Sequence, residues 1–151
     1  MASRIQDPAS QPDIGRGVQE IFKAVYKGGV PAQTLELVHL RASQINGCSA
    51  CTDAGTTSAT KAGVSTEKLL MVAAWYEDPH FDDAERAALA LTEAMTRLAD
   101  RPGAVTDEIW AEAAKHYDER QLGALVLMAS ISNFFNRINT TFRVPAGVRW
   151  D

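Results

Sequence analysis

Cysteine is scarce in this sequence, with only Cys48 and Cys51 among 151 residues. So low a content excludes a disulfide-rich secreted scaffold. A membrane-spanning helix is not expected either, because the longest apolar run, LGALVLMA at 122–129, is far below the ~20 residues that a bilayer requires. The polar start, MASRIQDPASQPDIGRG, has no stretch suited to a signal peptide. We therefore predict a cytoplasmic protein with no membrane partner.

The sequence also lacks basic clusters and strand patterns. Its 15 lysines and arginines are scattered and the formal net charge is −4, which disfavours nucleic acid as a partner. No segment alternates apolar and polar residues with a period of two; apolar residues recur instead at spacings of three and four. These features predict an all-α bundle of six to seven helices forming a single domain over 12–151, after a flexible leader at 1–11.

Helix boundaries follow from caps and breakers. Asp118 and Gln121 resemble a capping box, Ser65 suits an N-cap, and Asn46-Gly47 suits a stop between two helices. The predicted helices cover about 12–27, 31–45, 48–62, a segment after Ser65, 83–100, 107–117 and 119–139.

The two cysteines form a Cys-x-x-Cys pair at the start of the predicted third helix, near the centre of the bundle. Residues three apart on a helix have Cβ atoms ~5–6 Å apart, so a modest adjustment would allow a disulfide. Such a bond encloses too little chain to stabilise the fold much, so a reversible disulfide is the better interpretation. Unpaired N–H groups at a helix start favour the thiolate, which a peroxide oxidises to a sulfenic acid that a second thiol converts to a disulfide.

Three other interpretations compete. A metal site would need two more ligands, and no histidine has ligand-like spacing to the cysteines, so we expect no metal and no cofactor. The pair could be two small core residues. A thioredoxin fold is disfavoured because no strand precedes the motif.

The surrounding sequence is more specific than the pair. The run LELVHLRASQINGCSACTDAG, followed by KAGVSTEKL, AAW and FDDAERAALALTEAMTRLAD, closely resembles the alkylhydroperoxidase D-like branch of the carboxymuconolactone decarboxylase family. The likeness extends from about residue 20 to NFFNRINTTFR in the last helix. The motif positions are Glu36, Leu40, Arg41, Ser43, Asn46, Gly47, Cys48 and Cys51.

This resemblance implies an all-α fold that assembles as a homo-oligomer, a trimer or a multiple of one. It implies reduction of hydroperoxides, in antioxidant defence, at the expense of an external dithiol of lipoyl or thioredoxin type. By position, Cys51 would be the peroxidatic cysteine, Cys48 the resolving cysteine and Glu36 part of a proton relay. The decarboxylase branch lacks the cysteine pair, which argues against lactone decarboxylation.

The sequence departs from the family pattern at two histidines. The relay histidine, four residues after the second cysteine, is Gly55 here, and a further histidine between the cysteines is Ala50. Gly55 should face the region of Glu36 and leave room for water, substrate or another side chain. His39 lies three residues after Glu36, so we hypothesise that these two residues replace the usual relay.

Three functional classes remain open. The first is a thiol-dependent peroxidase or disulfide reductase. The second is a non-catalytic redox sensor, in which disulfide formation changes an assembly or a partner contact. The third is a structural oligomer whose activity was lost with the relay histidines.

Overall fold

The computed structural model of the chain describes residues 2–5 and 12–148, and its regular structure within those ranges is helical throughout. This confirms the predicted all-α fold. The helices are α1 (Pro12–Tyr26), α2 (Ala32–Ile45), α3 (Ser49–Lys61), α4 (Thr66–Met71), α5 (Asp83–Thr96), α6 (Asp107–His116) and α7 (Glu119–Phe142), with a short 3-10 helix (Val72–Ala74) after α4. None of these described helices is both long and apolar enough to cross a membrane.

Helix α2 lies at the centre of the bundle and packs against α3, α5 and α7. Its apolar side chains divide between two cores. Leu35 and Val38 join the core formed with α1, α5, α6 and α7, whereas Leu37 and Leu40 join the core formed with α3, Val72, Trp75 and α5. Each fully buried leucine contributes about 1.5–3 kcal/mol relative to an exposed one. This two-sided burial fixes the orientation of α2, and therefore of the polar residues between its leucines.

Helix starts follow the predicted chemistry. Asp118 caps α7 in a reciprocal capping box with Gln121, as the sequence predicts, and Asp82 caps α5 in the same way with Glu85. Ser65 caps α4 by accepting a hydrogen bond from the backbone N–H of Lys68. These contacts satisfy N–H groups that have no partner within their own helix.

The turn between α2 and α3 positions the cysteines. Gly47 has φ +65°, a left-handed conformation that suits glycine, and the N–H of Cys48 bonds to the carbonyl of Ser43 at 3.0 Å. The side-chain amide of Asn46 donates to the Oδ1 atoms of Asn133 (3.0 Å) and Asn136 (2.8 Å). The turn is therefore held against α7.

Two helix ends differ from the predictions. Helix α5 ends at Thr96 rather than near residue 100, and Leu98, which fits the apolar pattern of α5, is 51% exposed. The N–H of Arg97 is shared between the carbonyls of Glu93 and Ala94, as is common where a helix terminates. Helix α7 instead continues three residues past the predicted 139 to Phe142, because Asn139 is buried against α3.

Part of the predicted leader contacts the end of α7. The backbone N–H of Arg4 donates to the carbonyl of Phe142 at 2.8 Å, and its side chain donates to the carbonyl of Thr141 at 3.1 Å. Residues 1 and 6–11 lie outside the described residues, so the flexible leader and the single domain at 12–151 stay predictions.

Candidate active site

The two cysteines are joined by a disulfide with a Cα–Cα distance of 5.3 Å. Cys48 is the N-cap of α3, with extended backbone at φ −82° and ψ 99°, and Cys51 lies in the first turn. The expected local adjustment thus occurs at Cys48, which stands outside the helix proper. The pair occupies the helix start that the sequence predicts.

Each sulfur atom accepts a hydrogen bond from nitrogen. The backbone N–H of Cys51 donates to Cys48 Sγ at 3.2 Å, and the side-chain amide of Asn139 donates to Cys51 Sγ at 3.3 Å. Both cysteines are only 2% exposed, in a cluster with Ala50 and Val144. A donor in a dry environment favours the ionised form of a sulfur, so this arrangement supports a thiolate at Cys51.

Asn139 is given no role by the sequence analysis, although the stretch NFFNRINTTFR of the last helix contains three asparagines. Asn133, Asn136 and Asn139 are three residues apart and all buried on the face of α7 that meets the α2–α3 turn. Asn136 also donates to the hydroxyl of Ser43 at 3.1 Å. In the sequence, the signal for this contact was the regular three-residue spacing of the asparagines. Amides placed on one buried helix face need hydrogen-bond partners on a neighbouring element.

Glu36 is buried, at 5% exposure, and its carboxylate accepts hydrogen bonds from two hydroxyls. Tyr26 donates to one oxygen, and Ser58 donates to the other at 2.6 Å. Burial and the neighbouring Glu36 raise the pKa of Tyr26 above its ordinary value, so the phenol keeps its proton and remains a donor. Among the hydrogen bonds of the described residues, none joins Glu36 to either cysteine. Neither Tyr26 nor Ser58 was anticipated from the sequence.

His39 points toward α3 and α7. Its Nδ1 lies 2.9 Å from the hydroxyl oxygen of Ser132, and the ring interacts with the backbone of Cys51. Burial lowers the pKa of His39 below its ordinary value, while the charge of Glu36 and the Cys51 carbonyl act in the opposite direction. The imidazole is therefore neutral at pH 7. It interacts electrostatically with Glu36, but no hydrogen bond between the two side chains is found in the described part of the chain.

Gly55 and His39 occupy complementary positions. A Cβ atom built at Gly55 would lie 2.8 Å from Cδ2 and 3.3 Å from Nε2 of His39. A helical side chain covers the turn that precedes it, so glycine at 55 opens the backbone at Cys51 to the imidazole. The space in front of Gly55 is thus filled by the side chain of His39, which belongs to α2.

A pocket of about 320 Å³ opens beside the disulfide. It lies between the α2–α3 turn, the last turn of α7 and the chain that follows α7. Cys48 belongs to its lining and Cys51 does not. The lining residues are Gly47, Cys48, Ser49, Asn139, Thr140, Arg143, Val144, Pro145 and Ala146. Among the described residues, Arg143 is therefore the only charged one in the lining.

The other two histidines lie elsewhere. His116 is in the last turn of α6, with its Nε2 atom 3.6 Å from Glu112 Oε1, one turn earlier on the same helix. His80 is in a turn, with Nδ1 2.8 Å from Asp78 Oδ1. Within the residues that the structure describes, no group of three or more histidine, cysteine, aspartate or glutamate side chains could hold a metal ion.

The tryptophans and Phe134 differ in exposure. Trp75 is buried in the core, and its indole N–H donates to Glu93 at 2.7 Å. Trp110 and Phe134 are 44% and 40% exposed. Trp150 lies outside the described residues.

Sequence comparisons agree with this architecture. The profile of the carboxymuconolactone decarboxylase family matches residues 12–94. The chain is 32% identical to YdfG of Bacillus subtilis (strain 168) over 139 residues, covering 92% of this chain and 93% of YdfG. It is 33% identical to YnjA of Escherichia coli (strain K12) over 110 residues, covering 73% of this chain and 59% of YnjA.

Solved structures share the fold. A protein of unknown function from Agrobacterium tumefaciens, described as a candidate antioxidant defence protein AhpD, superposes with a TM-score of 0.87 at 27% identity, covering 98% of this chain and 100% of that one. The debrominase Bmp8 superposes with a TM-score of 0.77 at 22% identity, covering 91% of this chain and 73% of Bmp8. At that identity, the second likeness concerns the fold alone.

Proposed function

The chain belongs to the carboxymuconolactone decarboxylase family, and on that basis we propose that it is a thiol-dependent peroxidase that reduces hydroperoxides with Cys48 and Cys51. One observation carries the proposal: the two cysteines form a disulfide at a helix start, with an amide N–H directed at Cys51 Sγ. Similarity to a protein described as a candidate antioxidant defence protein supports the same chemistry.

The oxidative half-reaction begins at Cys51. Its thiolate attacks one peroxide oxygen, the O–O bond breaks, and the leaving alkoxide takes a proton, giving an alcohol and Cys51 sulfenic acid. Asn139 supports this assignment because its amide donates to Cys51 Sγ and so stabilises the attacking thiolate. Cys48 then attacks the sulfenic sulfur, water leaves, and the disulfide forms.

The reductive half-reaction needs an external dithiol. Its two thiols give two electrons and two protons to the cysteine pair and become a disulfide themselves. A disulfide reductase would use the same reductive half-reaction, and its cysteine pair would then be reoxidised by thiol–disulfide exchange with a protein or small disulfide in place of the peroxide. Such turnover requires a reducing compartment, so a cytoplasmic location belongs to the proposal.

We assign the proton relay of peroxide reduction to His39 and Glu36. His39 fits this role because its ring meets the backbone of Cys51 and the volume in front of Gly55. Ser132 can accept from Nδ1 while donating to the Met128 carbonyl, 2.7 Å away, or can turn to donate to Nδ1. The ring can therefore change tautomer or gain a proton with little movement. Glu36, held by Tyr26 and Ser58, supplies a negative charge that favours protonation of His39.

Single-turnover kinetics test the function. Reduced protein is mixed with a stoichiometric hydroperoxide, and remaining thiols and peroxide are counted with time. We expect two thiols lost per peroxide, a stable sulfenic acid in Cys48→Ser, and no reaction in Cys51→Ser. Thiols that stay inert at millimolar peroxide would contradict the proposal, and oxidation without turnover by any dithiol would favour the redox sensor.

The proton assignment has its own readout. Because the pKa of His39 is lowered by burial, His39→Ala should change the pH dependence of peroxide turnover on the acidic side of pH 7. An unchanged pH profile would remove His39 from the relay and leave the cysteine chemistry intact.

We also propose that the protein is a homo-oligomer. Leu127 and Phe134 are 44% and 40% exposed on α7, and their spacing of seven residues places them on one face of that helix. Sedimentation of Phe134→Glu should show a smaller species than the native chain. Leu98→Glu, which changes an equally exposed residue beyond α5, is the control, and an identical mass for all three proteins would refute this interface.

A further inference from the structure

The two cysteines of the disulfide differ in position relative to the pocket, although each is only 2% exposed. Cys48 belongs to the lining of the pocket of about 320 Å³, whereas Cys51 does not, and Cys51 Sγ accepts a hydrogen bond from the Asn139 amide. We infer that the reductant enters this pocket, attacks Cys48 Sγ, and is selected through Arg143 for a carboxylate carried on the same molecule as its thiols. This inference rests on the proposed function only in requiring that the disulfide be reduced during turnover.

Attack at Cys48 gives a chemically consistent sequence. The reductant thiolate forms a bond to Cys48 Sγ, the Cys48–Cys51 bond breaks, and the electron pair leaves on Cys51. The Asn139 N–H, 3.3 Å from that sulfur, stabilises the departing thiolate. The second thiolate of the reductant then attacks the reductant's own sulfur in the mixed disulfide. Cys48 leaves as a thiolate, and the two protons of the dithiol end on the protein or in solvent.

Arg143 holds an unusual backbone conformation at the edge of this pocket. Its φ is +58° and its ψ is 43°, and it is the only non-glycine residue with positive φ in the described part of the chain. Its N–H bonds to the Thr140 carbonyl (3.2 Å), and that of Val144 bonds to the Asn139 carbonyl (2.9 Å). This Schellman arrangement is usually made by glycine. An arginine that adopts a strained backbone conformation beside a reactive disulfide indicates a role for its side chain.

Local charge gives that side chain a function. The chain has a formal net charge of −4 and so repels anions in general, whereas Arg143 is the only charged residue among the described residues that line this pocket. Arg4 is close by, bonded to the carbonyl of Thr141. Asp53 is the opposing group; its carboxylate accepts from the Gly147 N–H at 3.1 Å, just past the pocket lining. A thiol reductant that carries a carboxylate is therefore favoured at Cys48.

The volume of the pocket further restricts the class of reductant that can reach Cys48. A pocket of about 320 Å³ is at the lower end of the range for small-molecule sites. It accommodates a small dithiol or a dithiol on a flexible arm. A reductant whose thiols lie flush with a folded surface would be kept from Cys48 by the walls.

The first experiment identifies the attacked sulfur. Oxidised native protein is treated with mercaptoacetate in the presence of an alkylating agent, and fragment ions between Ser49 and Ala50 locate each adduct by mass spectrometry. We expect mercaptoacetate on Cys48 and the alkyl group on Cys51. The reverse pattern, or an even mixture, would overturn the inference while leaving peroxide consumption unaffected.

The second experiment measures charge selection in the reductive half-reaction alone. Rate constants for disulfide reduction are compared for dihydrolipoate and dihydrolipoamide, which differ only in a terminal carboxylate or amide. In Arg143→Gln and Arg143→Gly the preference for dihydrolipoate should fall about 2- to 5-fold, the effect of losing one partly exposed ion pair. Arg143→Lys should keep most of the preference.

Arg101→Gln is the matched control, because it removes the same charge from an exposed position after α5, outside the pocket lining. It should leave the preference unchanged. Arg143→Gly also separates function from folding, since glycine relieves the left-handed backbone and should raise the melting temperature while weakening the preference. Equal preference in the native protein and both neutral variants would refute selection by Arg143.

Discussion

The contact between His39 and Gly55 can be tested by a single methyl group. Gly55→Ala places a Cβ atom 2.8 Å from Cδ2 of His39 and 3.4 Å from the Cα of Leu40. The imidazole ring cannot move away freely because it is hydrogen-bonded to Ser132 and is enclosed where α2 packs against α3 and α7. The substitution therefore forces His39 out of its position or shifts α3 away from α2.

Two opposing effects set the magnitude. Replacing glycine by alanine inside a helix stabilises by ~1 kcal/mol. Overpacking a rigid contact costs about 1–3 kcal/mol, and loss of the Ser132 hydrogen bond adds about 0.5–1.5 kcal/mol. We expect Gly55→Ala to lower the free energy of unfolding by roughly 0.5–3.5 kcal/mol, the balance of these terms.

The assay is a double-mutant cycle in urea with the native protein, Gly55→Ala, His39→Ala and the double variant. Once His39 is removed, the added methyl should stabilise by ~1 kcal/mol, which gives a coupling energy of about 1.5–4.5 kcal/mol. Gly123→Ala is the control, because Gly123 is exposed within α7 and its Cβ would meet nothing within 4 Å. It should stabilise equally in both backgrounds. If Gly55→Ala stabilises the native background as much as Gly123→Ala does, His39 does not fill the space at Gly55.

Three further predictions concern single side chains. Burial lowers the pKa of His39, so the unfolded chain binds a proton at this residue before the folded chain does as the pH falls below 6.5. The free energy of unfolding should therefore drop below that pH by up to about 1.4 kcal/mol per pH unit. His39→Gln should flatten this slope in urea titrations at pH 5–7. Arg143→Gly should raise the free energy of unfolding by about 1 kcal/mol, because it relieves the left-handed backbone; a destabilised variant would show that Arg143 has contacts worth more than the strain. Asn139→Leu should slow oxidation of Cys51 by a stoichiometric peroxide about tenfold or more, since a hydrogen bond to a charged group contributes about 1.5–3 kcal/mol; an unchanged rate would exclude Asn139 from stabilising the thiolate.

Local patterns were sufficient to predict most of the fold. Apolar spacing, the caps Ser65 and Asp118, and the Asn46-Gly47 stop correspond to helices that end within a few residues of the predicted bounds. Helix α5 was predicted too long because Leu98 fits the apolar period but is exposed. Periodicity records which residues could pack, whereas a helix end is decided by what the neighbouring elements cover.

The cysteine pair was predictable because its two residues and their helix start are contiguous in sequence. Asn139, Tyr26 and Ser132 were not, because their contacts with the site depend on how α7 and α1 pack against α2 and α3. Asn139 is 88 residues from Cys51, and Ser132 is 93 residues from His39. Hydrogen bonds of this kind leave only a weak trace in sequence, such as the three-residue spacing of asparagines on α7.

The relay position shows why a missing motif residue need not mean a missing group. Position 55 on α3 and His39 on α2 point into the same space, since the two helices are neighbours joined by the Asn46-Gly47 turn. The 2.8 Å approach at Gly55 shows that a side chain at position 55 would collide with the imidazole where it now lies. The residue at 55 is therefore coupled to the residue at 39, because glycine at 55 leaves the space that His39 occupies. A comparison with the family pattern should consider the two positions as a pair, since position 55 alone does not describe which side chain fills that space.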